Sequence, residues 1–551
     1  MRIFTLLTIL SVSGLLPLQS QSIQREKSWI YFSSKTSSEP FALSARSLER
    51  RRNQGIIPDQ MDRPVSSSYL SQLTAMGVEI AHTSRWLNAV SVYGTPENLT
   101  AVKSLPFVKE VKKVIAFHSK QEIKGLSLAP ANKTGYDPGY SKDQLSMVGL
   151  DVLHSNGFNG AGVLISVMDN GFNNANKNPG LSHLFKSGRV LATWDFQDKE
   201  TDVWTDGDHG AQVLSILAGY IEGQFVGSAP GASYILARTE VNGFERHIEE
   251  DNWVAAAEWA DSIGADIFST SLGYSDFEIG EQDYTPADMD GNTTVITRAA
   301  DMAASRGILV INSAGNEGRG SWRIIIAPAD GDSVLAVGSV DKERVLSDFS
   351  SVGPSADGRI KPDLCAMGGS TYFIHTDEKI SYGSGTSFSC PIMSGLAACL
   401  WQSKPILTNM QLFDQLKRSA DNYTSPDFQY GYGIPNGILA FKNINGFHPS
   451  DSPKNLSLNE NGIGMYPNPT ANELNIVFNN TAAMKKIEIE GTDLNGKRMF
   501  FVTPNLNPFY NVLKYSKDDL LMGLETGIYI ITIRDQLDGN KLFSGKLFLN
   551  Q

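Results

Sequence analysis

A chain of 551 residues is too long for one domain at roughly 100–200 residues each, so two to four folded units are expected. Hydrophobic residues at 41% and charged residues at 19% exclude a disordered, collagen-like or multi-pass membrane chain. A formal net charge of −12 argues against holding nucleic acid through its phosphates, which leaves a soluble enzyme, a binding protein or an adhesin.

The N-terminus reads Met1-Arg2, then an apolar run from Ile3 to about Leu18, then Gln19-Ser20. One basic residue, a short apolar core and a small residue near its end make a secretory signal peptide over residues 1–20. No later segment is apolar over the roughly 18 residues that a membrane-spanning helix needs, so no transmembrane segment is expected.

Residues 21–125 read as a small α+β unit. Asn88–Gly94 alternates like a strand, and Val108–Val114 alternates again. Between them, Thr95 caps a helix with Pro96 in its first turn. A stretch rich in Lys, Ser, Gly, Pro and Asn, about 118–140, follows as an exposed linker of the kind where proteolysis concentrates.

Residues 135–445 have a different texture. Short apolar runs (Val163–Met168, Tyr234–Ala237, Ile267–Ser271, Ile308–Asn312, Val334–Gly338) alternate with helical patterns such as Asn252–Ile263 and Thr294–Arg306. Such strands predict an α/β fold, a parallel sheet covered by helices on both faces. Residues 446–462 form a second polar linker. Residues 463–551 are short alternating strands (Glu473–Phe478, Lys486–Glu490, Ile528–Ile533) parted by turns such as Leu494-Asn-Gly-Lys497, which predicts a small β-sandwich.

Function in open α/β sheets gathers at the carboxyl ends of strands. Val163–Met168 runs straight into Asp169-Asn-Gly171. His209 opens an apolar helical run. Ile308–Asn312 ends in Ser313-Ala-Gly-Asn-Glu-Gly318. Gly383-Ser-Gly-Thr-Ser387 precedes an apolar helix, which puts Ser387 where backbone N–H groups point outward unpaired. These residue types match one chemistry. A serine hydroxyl is a weak nucleophile until a histidine takes its proton. The histidine needs a buried carboxylate to fix its tautomer. The developing oxyanion needs donors already in place, such as an Asn amide and a backbone N–H. Each motif alone is common; the set in the order Asp, His, Asn, Ser is not.

These blocks resemble those of subtilisin-type serine peptidases. The resemblance spans roughly residues 135–445 and rests on Val163–Phe172, Asp208–Gly219, Ser269-Thr-Ser-Leu-Gly273, Ser313–Gly318, Asp348-Phe-Ser-Ser-Val-Gly353, Lys361-Pro-Asp363 and Gly385-Thr-Ser-Phe-Ser-Cys-Pro391. It implies a triad of Asp169, His209 and Ser387, Asn316 in the oxyanion hole, and an extended polypeptide substrate paired with Ser271, Leu272 and Gly273. Ala211, Gln212, Ile392 and Met367 depart from the family pattern, at positions outside the triad and the oxyanion hole.

The N-terminal unit resembles the family's inhibitory propeptide, through Ser84–Gly94 and Leu105–Val111. This implies a zymogen whose own propeptide is its intramolecular inhibitor. The C-terminal unit resembles the type IX secretion sorting domain, through Tyr466-Pro-Asn-Pro-Thr470, Asp493-Leu-Asn-Gly-Lys497 and Leu524–Ile530. That implies the type IX machinery as a partner and a secreted or cell-surface product.

No cofactor is expected. No zinc-type His-Glu-x-x-His is present. The oxygen-rich stretch Asp283–Asn292 does not follow the spacing of an EF-hand loop, so structural calcium, which subtilisin relatives often hold, has no specific motif here. Cys390 and Cys399 lie nine residues apart on one predicted helix, about 13 Å, too far to pair. A pairing of Cys365 stays open. The expected function is that of a secreted serine endopeptidase, acting as a monomer. The rival is an inactive adhesin or binding protein on the same fold. A decayed enzyme commonly lacks one of the four residues, and none is missing.

Overall fold

The computed structural model describes residues 25–550 apart from 36–37, 115, 118–136, 242–245, 276–278, 281–282, 447–458, 460, 467–469, 471–472, 482–484, 507–508 and 517–523. The expected signal peptide, most of both linkers and the centre of the Tyr466–Thr470 block lie outside the described residues.

The central unit is built on seven strands: β1 (Leu164–Asp169), β2 (Val190–Asp195), β3 (Ser233–Arg238), β4 (Ile267–Thr270), β5 (Leu309–Ser313), β6 (Val334–Val340) and β7 (Leu364–Met367). They lie in the order β7-β6-β5-β4-β1-β3-β2, and every pairing is parallel. All six residues of β1 are buried, as a strand covered on both faces requires. The five expected strands are all present, with ends shifted by one or two residues. The edge strands β2 and β7 were not foreseen. In β2 only Asp195 is buried, so the apolar pattern that marks a central strand is missing.

Four helices matter for the site and its cover: α1 (Asp208–Ala218), α2 (His247–Ile263), α3 (Val295–Ser305) and α4 (Thr386–Ser403). On one face of the sheet, α1 and α4 pack against Val167, Ile267, Ile311 and Val337. On the other, α2 and α3 pack through Ala256, Ala260, Ala299 and Ala303 against Leu164, Phe268 and Val310. The alternation of strand order falls at β1, where β3 lies on one side and β4 on the other. A cleft opens beyond the carboxyl ends of strands at such a switch point.

Strands Glu26–Phe32, Glu79–Ser84, Ala89–Gly94 and Val108–Val114 form the N-terminal sheet. The expected helix after Thr95 is a six-residue α-helix, Pro96–Ala101, with a 3₁₀ turn behind it. Thr95 does cap it, by accepting from the Asn98 N–H at 3.2 Å.

This unit docks on the polar face of α2. Asp261 is fully buried there and accepts from Arg50, from Arg51 at 2.7 Å and from Arg85 at 2.7 Å. Glu258 accepts from Ser84 Oγ at 2.6 Å and from the backbone N–H groups of Arg85 and Trp86. Asp251 receives Trp29 Nε1 at 2.6 Å together with Lys27 and Ser91. The polar face of this helix is therefore an ionic interface.

At the C-terminus, two antiparallel sheets share one core of Leu474, Ile476, Ile487, Ile489, Ile531 and Ile533, which is the expected sandwich. The Leu494–Lys497 turn is closed by Asp493 Oδ1, which accepts from the N–H groups of Asn495 and Lys497 at 2.9 Å.

Cys365, Cys390 and Cys399 are free and buried. Burial raises all three thiols, Cys390 to about 11, so they act as small hydrophobes. No helix among the described residues is long and apolar enough to cross a membrane.

Candidate active site

Asp169 is the last residue of β1 and only 2% exposed. Its Oδ1 accepts from the Asn170 N–H at 2.8 Å and from His209 Nδ1 at 2.8 Å. An ionised carboxylate can only accept, so the proton is on Nδ1 and Nε2 of the neutral ring is free to take another. Three glycines make this contact sterically possible. A Cβ on Gly171 would lie 2.2 Å from the Asp206 carbonyl oxygen. One on Gly207 would lie 2.2 Å from the Asn170 carbonyl oxygen, and one on Gly210 at 2.2 Å from that of Gly171. The Asp and His loops interlock at backbone distance, which only glycine allows.

The His209 ring lies against Phe388, with centroids 6.1 Å apart. Burial disfavours its cationic form. The charge and hydrogen bond of Asp169, with the charge of Glu240 behind them, outweigh burial and hold the imidazole above its ordinary value.

Ser387 is the second residue of α4 and half-buried. Pro391 stands four residues later and has no N–H for the Ser387 carbonyl. The Ser271 hydroxyl donates to that carbonyl instead, at 2.8 Å. In return Ser387 Oγ donates to the Ser271 carbonyl at 3.2 Å. This reciprocal clamp fixes the start of α4 to the end of β4. Among the described residues no hydrogen bond joins Ser387 to His209. Such bonds are often long in the absence of substrate.

Asn316 follows β5. Its Oδ1 accepts from the N–H and the hydroxyl of Thr386 at 2.9 and 3.0 Å. The acceptor end of the amide is thereby occupied, and the Nδ2 donors are presented on the other side. A Cβ on Gly385 would lie 3.8 Å from both Asn316 Nδ2 and the Ser387 backbone N. The two nitrogens therefore lie within contact distance of one common point beside Gly385.

Leu272 is held by Asn312 Nδ2, which donates to its carbonyl at 2.9 Å. Beyond it Tyr274 exchanges backbone hydrogen bonds with Ala327 at 2.8 and 3.2 Å. Ser271, Leu272 and Gly273 thus lie in a short extended segment beside Ser387.

Three contributors were not read from the sequence. Thr386 anchors the Asn316 amide. Tyr274 and Glu240 meet near the acid–base pair, where Tyr274 Oη donates to Glu240 Oε1 at 2.7 Å. Glu240 carries the same signal as Asp169, a carboxylate just past a buried strand, but the expected strand ended at Ala237, too early to show it.

The oxygen-rich stretch Asp283–Asn292 makes local hydrogen bonds. Asp288 accepts from Thr285, and Asp290 closes a turn with Asn292 and Thr293. Among the described residues, no group of three or more His, Cys, Asp or Glu is placed to hold a metal ion.

Residues 160–433 match the profile of the subtilase family. Over 300 residues the chain is 30% identical to subtilisin NAT of Bacillus subtilis subsp. natto, covering 53% of this chain and 69% of that one. The chain belongs to the subtilase family. Its similarity to subtilisin of Bacillus pumilus is 29% identity over 53% of this chain and 95% of that one. With the serine protease AprX of Bacillus subtilis strain 168 it is 28% over 50% and 65%. This subtilase is a serine-type endopeptidase. Residues 27–126 match the Peptidase S8 propeptide domain of Bacteroidota, so the N-terminal unit marks a zymogen. Residues 464–544 match the secretion system C-terminal sorting domain, which directs the chain through type IX export to the cell surface or the medium.

Proposed function

We propose that this subtilase cleaves polypeptides with Ser387 as nucleophile, His209 as general base and acid, Asp169 as the orienting carboxylate, and Asn316 with the Ser387 backbone N–H as the oxyanion hole. The observation that carries the reading is the Asp169–His209 pair at 2.8 Å, gathered with Ser387 and Asn316 at one end of the sheet. An extended substrate pairs its backbone with Ser271–Gly273 by strand addition. Ser387 Oγ attacks the scissile carbonyl and its proton passes to His209 Nε2. The oxyanion takes hydrogen bonds from Asn316 Nδ2 and the Ser387 N–H. As the C–N bond breaks, His209 gives the proton to the leaving amine. Water then repeats the sequence on the acyl-enzyme, with His209 again as base, and frees Ser387.

The N-terminal unit acts as the intramolecular inhibitor, held on α2 until it is cleaved away. The unit limits read from the sequence, 21–125, 135–445 and 463–551, belong to this proposal.

Substituting Asn316→Ala is expected to lower kcat by about 10²–10³ with little change in KM, because the lost donors act on the oxyanion. Asn316→Asp keeps an acceptor for Thr386 while removing the donors, and is expected to fall at least as far. Steady-state kinetics on both variants after propeptide removal provide the test. An unchanged kcat in both would remove Asn316 from the mechanism.

A further inference from the structure

Glu240 stands where the acid–base pair meets the substrate-pairing segment. β3 and β1 are in register at Arg238 and Asp169. The Thr239 N–H donates to the Asp169 carbonyl at 3.0 Å, which puts Glu240 one residue past that contact. One carboxylate oxygen, Oε1, is fixed by two hydroxyls, Tyr274 Oη at 2.7 Å and Thr239 Oγ1 at 2.8 Å. Tyr274 is itself immovable: it is fully buried and directly follows Gly273. The other oxygen, Oε2, takes no hydrogen bond among the described residues. The residue is partly exposed, and it forms no ion pair with Lys or Arg among the described residues. A carboxylate held rigidly by one oxygen, open at the other and beside the catalytic machinery is built to receive a donor from outside the chain.

We propose that Glu240 is a specificity-determining residue, which selects a cationic side chain, Lys or Arg, on the acyl side of the scissile bond. The inference rests on the reading of His209 and Ser387 as the reacting pair. A substrate paired along Ser271–Gly273 and attacked by Ser387 passes beside His209 and the partly exposed Glu240. A Lys or Arg side chain at the residue crossing that point reaches Oε2 with a charge-assisted hydrogen bond. A neutral or acidic side chain leaves Oε2 unmatched or repels it.

The charge that does the selecting depends on pH. Burial pushes the Glu240 carboxyl up to about 7, against the two hydroxyl hydrogen bonds; the charge of Asp169 adds to the rise and that of His209 opposes it. Among the described residues, Tyr274, Asp169 and His209 are the titratable groups facing it. The carboxyl is ionised above that value and neutral below. The preference for a cation is therefore present at higher pH and lost as pH falls through it.

The test uses fluorogenic peptides in which each acyl-side residue is in turn Lys, norleucine or Glu, cleaved by propeptide-free wild type, Glu240→Gln and Glu240→Asp. At one position, Lys over norleucine is expected to gain about tenfold in kcat/KM in the wild type. That gain is expected to shrink at low pH, vanish in Glu240→Gln and persist in Glu240→Asp. A wild type with no cation preference, or an equal preference in Glu240→Gln, overturns the proposal. Each variant is also labelled with a fluorophosphonate. Enzyme that labels at Ser387 but shows no cation preference sinks this inference alone, whereas properly folded wild type that does not label sinks the reading beneath it as well.

Discussion

Substituting Asp169→Asn is expected to lower kcat/KM by about 10⁴ while leaving the fold intact. The carboxylate accepts from His209 Nδ1 at 2.8 Å, and that bond fixes which ring nitrogen keeps its proton. An Asn amide has the same shape but can turn its NH₂ towards Nδ1, which places the proton on Nε2 and leaves no base facing Ser387. The pH profile separates this from a packing effect. His209 must be neutral to accept the serine proton, so activity is lost as pH falls through its pKa. In the wild type that acid limb lies above the ordinary imidazole value, because Asp169 outweighs burial. In the Asp169→Asn variant burial opposes only the weaker pull of Glu240, and the limb moves to lower pH. The measurement is kcat/KM against pH for both proteins, each freed of its propeptide by an added protease. An equal acid limb in both would contradict the assignment.

The second large effect is expected at the propeptide contact. Asp261→Ala removes the buried carboxylate that Arg50, Arg51 and Arg85 share, leaving Arg51 its ion pair with Asp62 and Arg85 its pair with Glu258. Burial disfavours the Asp261 carboxylate, but the three guanidiniums hold its pKa below the ordinary carboxylate value. Removing one partner of such a buried cluster costs about 3–5 kcal/mol, which weakens propeptide binding by roughly 10²–10⁴. The sign with pH follows from the lowered pKa. The contact is at full strength above the ordinary carboxylate range and weakens as pH falls through the lowered value. The check is full-length Ser387→Ala protein, nicked in the linker, with the N-terminal fragment followed by size-exclusion chromatography. The fragment is expected to stay bound in the parent and to separate once Asp261→Ala is added. Retention in both would mean that the apolar contacts of Trp29 and Tyr31 hold the propeptide without the ions.

How much of this was legible in the sequence depends on range. Central strands such as Leu164–Asp169 carry apolar residues on both faces, and that pattern needs no partner to be read. Asp169, His209, Asn316 and Ser387 each sit at the end of a strand or the start of a helix, positions that local signals mark. Val190–Asp195 escaped because an edge strand is half solvated and loses the pattern. The polar face of α2 carries no local mark of what covers it. Only the docked N-terminal unit, more than a hundred residues earlier in the chain, turns its carboxylates into buried partners. The role of Pro391 was hidden for the same reason. The carbonyl that it leaves unpaired is satisfied by Ser271, far off in sequence and adjacent only in the fold.

In the proposed function Ser387 is the activated nucleophile of a self-maturing peptidase. The most direct measurement treats purified wild type and Ser387→Ala with a fluorophosphonate probe and maps the chain ends by mass. Labelling at Ser387 is expected in the wild type alone, with the N-terminal unit shed from the wild type and retained in the variant. Properly folded wild type that stays unlabelled after an added protease has removed the N-terminal unit would contradict it.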